Sequence, residues 1–148
     1  MPDRTYQIEK SSLDEALSLL ERLPEFDQLR PADYYRQELR DTSHLILTAK
    51  QNGLPVGCKI GYDRFKDGSF YSWLGGVLPE HRKSGIAGKL ADYQEDWAKK
   101  QGYESIKFKT QNRHKAMLQF AIKNGFSIYN VKPKGELEYY KIELIKKL

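Results

Sequence analysis

Hydrophobic positions change spacing several times along the chain, and each change marks an element. Between residues 12 and 23 (SLDEALSLLERL), Leu13, Ala16, Leu17 and Leu20 recur at helical spacing. Ser11 or Ser12 suits the N-cap, and Asp14 and Glu15 suit the positive end of the helix dipole. Pro31 opens a second short helix, PADYYRQELR, because a first helical turn tolerates a missing N–H. The pattern then turns to strands at 45–50 (LILTAK), 55–63 (PVGCKIGYD) and 69–78 (SFYSWLGGVL). The turns Asn52-Gly53 and Asp67-Gly68 separate them, which predicts an antiparallel meander. After Pro79, the residues Ile86, Leu90, Tyr93 and Trp97 form one apolar helical stripe, closed by Gly102. ESIKFKT (104–110) alternates Ile106 and Phe108 with Lys107 and Lys109, as a strand does. HKAMLQFAIKN (114–124) predicts a helix with Met117, Leu118, Ala121 and Ile122 inward, ended by Gly125. Strands at 126–131 (FSIYNV) and 137–145 (LEYYKIELI) complete the order ααβββαβαββ, with one further strand expected at 4–9.

Composition narrows this picture. The 148 residues suit one domain with a sizeable core, and 39% hydrophobic content with ten tyrosines is globular rather than disordered. No apolar run reaches the roughly 18–20 residues of a membrane span. The polar start MPDRTYQIEK lacks the apolar core of a signal peptide, and Cys58 is the sole cysteine, so no internal disulfide framework exists. A reducing, cytoplasmic compartment is expected. The net charge of +5 favours an anionic partner without choosing one, because 20 acidic residues are interspersed with 25 basic ones.

The chemistry concentrates in HRKSGIAGKL (81–90), where Arg82, Lys83 and Lys89 surround a glycine-containing turn that enters a helix. The first turn of a helix exposes N–H groups with no intrahelical partner, and these stabilise an anion. Gly85 lets the backbone curl, Ala87 and Gly88 add little bulk, and Arg82 and Lys83 raise the local potential. An ordinary strand-to-helix connection with solvated basic residues also fits the turn taken alone. Neither GxxxxGK[ST] nor GxGxxG is present.

Taken with its neighbours, this turn resembles the GNAT superfamily of acyl-CoA-dependent N-acyltransferases. The pieces are Val77-Leu78-Pro79, then Arg82-Lys83-Ser84-Gly85-Ile86-Ala87 at a helix start, then Gly125-Phe126 after a later strand and helix. The resemblance implies an α/β (α+β) GNAT fold. Its single, mixed, mainly antiparallel sheet would have six to seven strands flanked by about four helices, with a V-shaped splay between the fourth and fifth strands. It implies acetyl-CoA as acyl-donor cosubstrate, with no metal. The amides of Lys83, Ser84, Gly85, Ile86, Ala87 and Gly88, beside Arg82, would bind its pyrophosphate. Gly75, Gly76 and Val77 would pair with the pantetheine arm, as an added strand does. The adjacent glycines also read as a bulge, which the family fold has there. Asn112 would bond the pantetheine, or cap the following helix.

Two family positions depart from the pattern. A tyrosine five residues before the Gly-Phe phenylalanine protonates the leaving thiolate in many members, and Ala121 stands there. A glutamate six residues before the valine acts as base in lysine-modifying members, and Tyr71 stands there. Tyr71 is the candidate catalytic residue, on the expectation that it shares a face with Trp73, Gly75 and Val77, with a core aromatic as the other reading. Tyr129, Tyr139 and Tyr140 are further candidates, and His114, Glu80, His81 and His44 show no partner in sequence. Lys107, Lys109, Arg113 and Lys115 form a second basic cluster, read either as a solvated edge or as attraction for the adenosine 3′-phosphate or an acidic substrate.

The expected function is transfer of an acetyl group to a primary amine of an unidentified acceptor, small molecule or protein. The competing readings are a catalytically idle acyl-CoA sensor and a basic nucleic-acid-binding module. No reader motif supports the latter. No membrane partner is expected, and a homodimer is an open expectation because dimerisation is common in this fold.

Overall fold

The computed structural model describes residues 6–26 and 28–148. One seven-stranded sheet runs in the order β1-β2-β3-β4-β5-β7-β6. Its strands are β1 (Gln7–Lys10), β2 (His44–Gln51), β3 (Leu54–Tyr62), β4 (Ser69–Val77), β5 (Ser105–Gln111), β6 (Ser127–Lys132) and β7 (Lys141–Lys147). The helices are α1 (Leu13–Leu20), α2 (Ala32–Leu39), α3 (Ile86–Lys100) and α4 (Lys115–Lys123). The extra N-terminal strand expected at 4–9 is β1, and residues 4 and 5 of that expectation lie outside the described residues.

Local chemistry accounts for most boundaries. The Ser12 hydroxyl accepts from the Glu15 N–H at 3.2 Å and starts α1, which ends at Leu20 rather than 23. Asn52 and Gly53 both take positive φ, 52° and 78°, the backbone of a tight hairpin turn between β2 and β3. The expected strand at 137–145 divides. Residues Leu137–Tyr139 form a 3-10 turn, and β7 begins only at Lys141. That turn accepts bonds at its carbonyls from the end of β5: Asn112 N to Tyr140 O at 2.9 Å and Arg113 N to Glu138 O at 2.8 Å.

Two cores sandwich the sheet. Leu17, Leu20, Tyr35 and Leu39 of α1 and α2 pack with Cys58, Ile60, Tyr62 and Tyr71 on one face. Ile86, Leu90 and Ala98 of α3 pack with Leu45, Leu47, Phe70, Val77 and Ile106 on the other. A satellite cluster joins Leu118 and Ala121 of α4 to Ile142 and Leu144 of β7. Met117 and Ile122, expected inward, are exposed. The α4 helix packs against β5 and β7 through Leu118 and Ala121, and Met117 and Ile122 fall outside that stripe.

The positioning feature is the join between β4 and β5. These strands are parallel and pair only at Ser69↔Ser105, Phe70↔Ile106 and Tyr71↔Lys107. Beyond Tyr71 they diverge into the V-shaped splay. On its other edge β4 pairs with β3 up to Gly57↔Val77, with a shift that takes Ile60↔Leu74 to Gly61↔Ser72. Trp73 is therefore the extra residue of a β-bulge. The bulge lies two residues before the Gly75-Gly76 pair that the sequence suggested for it. It also changes the faces: Tyr71, Trp73 and Leu74 all pack towards α1 and α2, whereas Val77 packs under α3. The face shared by Tyr71, Trp73, Gly75 and Val77, expected from simple alternation, does not exist.

Candidate functional site

The turn before α3 leaves a run of backbone amides without protein partners among the described residues. After Val77, the segment Pro79–His81 makes a single 3-10 turn, and the chain then passes through Lys83 at φ 64° and Gly85 at φ 84° before α3 begins. A left-handed lysine costs roughly 1–2 kcal/mol relative to ordinary backbone, a cost that recurs where structure serves a site. Among the described residues, the N–H groups from Lys83 through Gly88 donate to no protein acceptor, and the first bonded amide is Lys89, to Gly85 O at 3.1 Å. Successive amides in a turn that passes through left-handed residues can face one concave side. A Cβ built on Gly85 or Gly88 meets nothing within 4 Å, so both face open space.

Side chains brace this turn from behind. Ser84 Oγ donates to the His81 carbonyl. Arg82 Nε donates to Val77 O at 2.9 Å, and its Nη2 reaches Glu25 Oε1 at 2.7 Å. The Arg82 guanidinium thus ties the end of β4 to the loop after α1, and acts as a positioning group for the turn.

The edge of β4 that faces the splay has no strand partner from Ser72 to Val77. Gly76 packs closely there: a Cβ would lie 2.4 Å from Leu23 Cδ1, so the buried Leu23 side chain would have to move to admit one. A Cβ at Gly75 would lie 3.0 Å from the Cys58 carbonyl. Leu23 and Glu25 follow α1; Leu23 continues the helical stripe of Leu13 to Leu20 and reads as core, and Glu25 carries no motif, so neither was a site candidate. Together they close one side of the strand that carries Gly75, Gly76 and Val77.

Asn112 neither caps α4 nor stands free. His114 holds the N-cap position, without a side-chain cap. Asn112 Nδ2 donates to Leu137 O at 3.2 Å, and its Oδ1 accepts from Lys115 Nζ at 2.8 Å. It fastens the far wall of the splay to the 137–140 turn. His114 is half-buried, and burial together with neighbouring Arg113 lowers its pKa against the weaker opposite pull of Glu25. His81 Nδ1 lies 3.5 Å from the Tyr6 hydroxyl, and His44 Nδ1 bonds Thr42 O at 2.8 Å, away from the turn.

Tyr71 stands in the last rung before the splay, 5% exposed. Its ring meets Tyr62 at 6.0 Å and Phe65 at 5.5 Å edge-on, with the Arg64 guanidinium 5.1 Å above it. Burial raises its pKa, so the phenol stays protonated. The core reading is the one this environment supports. Beside it, Trp73 leans on Tyr62 at 4.8 Å and Tyr35 at 5.3 Å, with Tyr34 at 6.4 Å, and makes an aromatic wall along the α1/α2 side of the splay. Tyr62 donates to Glu38 Oε2 at 2.9 Å, which locks this wall to α2.

Glu143 of β7 is a further residue the sequence did not single out, standing as one acidic residue between Ile142 and Leu144. It is 5% exposed, with Oε2 accepting from Asn130 Nδ2 at 2.8 Å and Oε1 lying 3.3 Å from Lys132 Nζ and 3.7 Å from Lys109 Nζ. The Asn130 bond, then Lys132 and Lys109, hold its pKa low. The second basic cluster divides accordingly. Lys107 and Lys109 lie on the open face near Glu143, while Arg113 and Lys115 belong to the turn before α4. Among the described residues, no group of His, Cys, Asp and Glu side chains is placed to hold a metal ion.

Comparison with known proteins agrees with this geometry. The model of the acetyltransferase (GNAT) family matches residues 10–126. No curated protein sequence matches the chain. Among solved structures, the ribosomal-protein-S18-alanine N-acetyltransferase from Escherichia coli superposes with a TM-score of 0.81 at 14% identity, covering 97% of this chain and 94% of its own. A GNAT family acetyltransferase from Elizabethkingia anophelis with acetyl-CoA bound gives 0.78 at 19% identity, over 99% and 100% of the two chains. The IAA acetyltransferase from Bacillus cereus gives 0.78 at 19%, over 97% and 100%. These structures share the fold. The chain belongs to the GNAT acetyltransferase family.

Proposed function

We propose that the protein is an N-acetyltransferase that uses acetyl-CoA to acetylate a primary amine. The carrying observation is the run of undonated N–H groups from Lys83 through Gly88 beside an unpaired β4 edge. The groups present fit the cosubstrate. The turn would take the diphosphate, with the positive end of α3 behind it. The backbone of Gly75 and Gly76 would pair with the pantetheine amides, and Arg82 and Asn112 would hold the two walls. The acetyl-CoA bound in a related structure from Elizabethkingia anophelis supports this reading.

Bound there, acetyl-CoA supplies a thioester. A C–N bond forms to the acceptor, the C–S bond breaks, the amine proton passes to water, and water returns a proton to the departing thiolate, which leaves as thiol. The chain's part is mainly positional. Ala121 and the buried, protonated Tyr71 leave neither of the family's usual proton-handling groups in place. Holding amine and thioester together in a partly desolvated splay removes a large entropic barrier without them. The same two positions favour one second reading, a sensor that binds acetyl-CoA and does not turn it over.

Differential scanning fluorimetry with acetyl-CoA, followed by thiol-release assays across an amine panel, tests both readings. Acetyl-CoA should raise the melting temperature by binding the native state, by about 2.7 kcal/mol of stabilisation at a hundredfold excess over Kd. Gly85→Glu should fold and lose that shift, since it sets a carboxylate in the open space the diphosphate needs. A melting curve unmoved by saturating acetyl-CoA overturns the proposal, and a shift without thiol release across the panel favours the sensor.

A further inference from the structure

The open face of the splay carries more positive charge than the chain neutralises. Lys107 is matched, with Nζ 2.8 Å from Asp67 Oδ2. Lys109, two residues further along β5 on the same face, is not. Its only carboxylate neighbour among the described residues is Glu143, at 3.7 Å and beyond hydrogen-bond reach. Lys132 lies closer to that same oxygen, at 3.3 Å, and Asn130 occupies the other. Arg64 has no carboxylate within ion-pair distance among the described residues, and its guanidinium lies over Tyr71 and Phe65. The Lys109 ammonium stands 5.5 Å from the centre of the same Phe65 ring. Burial and then the charge of Arg64 pull the pKa of Lys109 down, outweighing the opposite pull of Glu143, with Lys141 and Lys132 adding to the lowering.

The location gives this shortage a use. Tyr71↔Lys107 is the last rung before β4 and β5 part, so Lys109 is the next residue on that face inside the splay. The α1 and α2 helices cover β2 to β4 and leave this part of the sheet open. An acceptor entering beside the aromatic wall of Trp73 therefore meets an under-compensated Lys109 and Arg64.

We propose that Lys109 and Arg64 form an anion subsite that selects acceptors whose amine is accompanied by a carboxylate or phosphate group. This rests on the acetyltransferase reading above. The test uses matched pairs with the full chain: tyramine against tyrosine, ethanolamine against phosphoethanolamine, and amidated peptides beginning Ala-Gln against Ala-Glu. In at least one pair the anionic member should show kcat/KM about tenfold higher or more, which is about 1.4 kcal/mol. The responding pair identifies an amino acid, a phosphoamine or a peptide terminus as the source of the anion. Lys109→Met and Arg64→Met should each remove most of that preference and leave the uncharged partner's rate and the acetyl-CoA melting shift unchanged, while Lys109→Arg keeps it. Equal use of both members in every pair, use of neither, or a preference that survives Lys109→Met together with Arg64→Met overturns the subsite. An intact acetyl-CoA shift with turnover of the uncharged members means that the subsite alone has failed, whereas a missing shift in the unsubstituted protein, or a shift with no turnover of any member, brings down the acetyltransferase reading with it.

Discussion

Tyr71 is the residue at which sequence position and physical environment part. Its place six residues before Val77 belongs to a catalytic carboxylate in part of the family, yet its ring is buried among Tyr62, Phe65 and Arg64. A phenol held protonated by burial can neither accept an amine proton nor readily release its own at neutral pH. Tyr71→Phe is therefore expected to keep kcat/KM within about threefold, whereas Tyr71→Ala should cost about 3–5 kcal/mol in urea unfolding, the usual loss for a large buried ring. Glu143 works in the opposite sense. Its folded-state pKa lies below that of an unfolded glutamate because Asn130, Lys132 and Lys109 favour the carboxylate. The resulting stability is fully present above the unfolded value and fades as pH falls through the folded one. Glu143→Gln should flatten the acid limb of the stability profile measured by urea unfolding between about pH 5 and pH 3, relative to the unsubstituted chain. The sequence shows Glu143 only as a polar residue between Ile142 and Leu144. Its burial arises from Asn130 and Lys132 on a neighbouring strand, and no local pattern encodes that.

Elements whose evidence is local were legible before the structure. The α1 cap at Ser12, the positive-φ Asn52-Gly53 turn, the α3 stripe and the αL entry at Gly85 all follow from residues within a few positions of each other. The β4 bulge was not, because it depends on which β3 residue faces which β4 residue. One inserted residue at Trp73 moved Gly75 and Val77 to the opposite face from Tyr71. Gly61 shows what fixes the shift: a Cβ there would lie 2.5 Å from Phe70 Cε2, 2.7 Å from Gln94 Nε2 and 2.9 Å from the Tyr71 carbonyl. The α3 helix and β4 close in on β3 at that point, opposite the bulge. Gly61→Ala must displace both a buried ring and backbone, so it should destabilise by about 3 kcal/mol, read as a lower urea midpoint with an unchanged slope. Gly88→Ala meets nothing within 4 Å and should leave stability within about 0.5 kcal/mol. The expected strand at 137–145 failed for a similar reason. Its first residues are claimed by Asn112 and Arg113 from the end of β5, a contact between segments distant in the chain.

At the scale of the molecule, the sheet is continuous at one end of the β4–β5 pair and open at the other, and its hydrogen-bond inventory divides the same way. The amides of β2 and β3 have partners on both sides, as interior strands do. Among the described residues, the N–H groups from Lys83 through Gly88 and the splay-facing edge of β4 are without protein partners. Protection against hydrogen exchange requires a bonded amide as well as burial, so these segments should exchange quickly in the free protein although they flank the core. Coenzyme A should slow exchange at early times in peptides covering 72–78 and 83–89, whereas β2 and β3, which exchange through larger openings of the fold, should be slowed only at late times by the general stabilisation. The acceptor face adds a contrast within the same experiment. Peptides covering Arg64 and Lys109 should change little with coenzyme A alone and gain protection when an anionic amine is added to the loaded protein. Late protection over the sheet with no early protection at 72–78 and 83–89 would mean that the ligand stabilises the fold as a whole without seating in the splay. Protection confined to 83–89 would mean that the diphosphate is held while the β4 edge stays unpaired, and the strand-like pairing at Gly75 and Gly76 would then have to be abandoned.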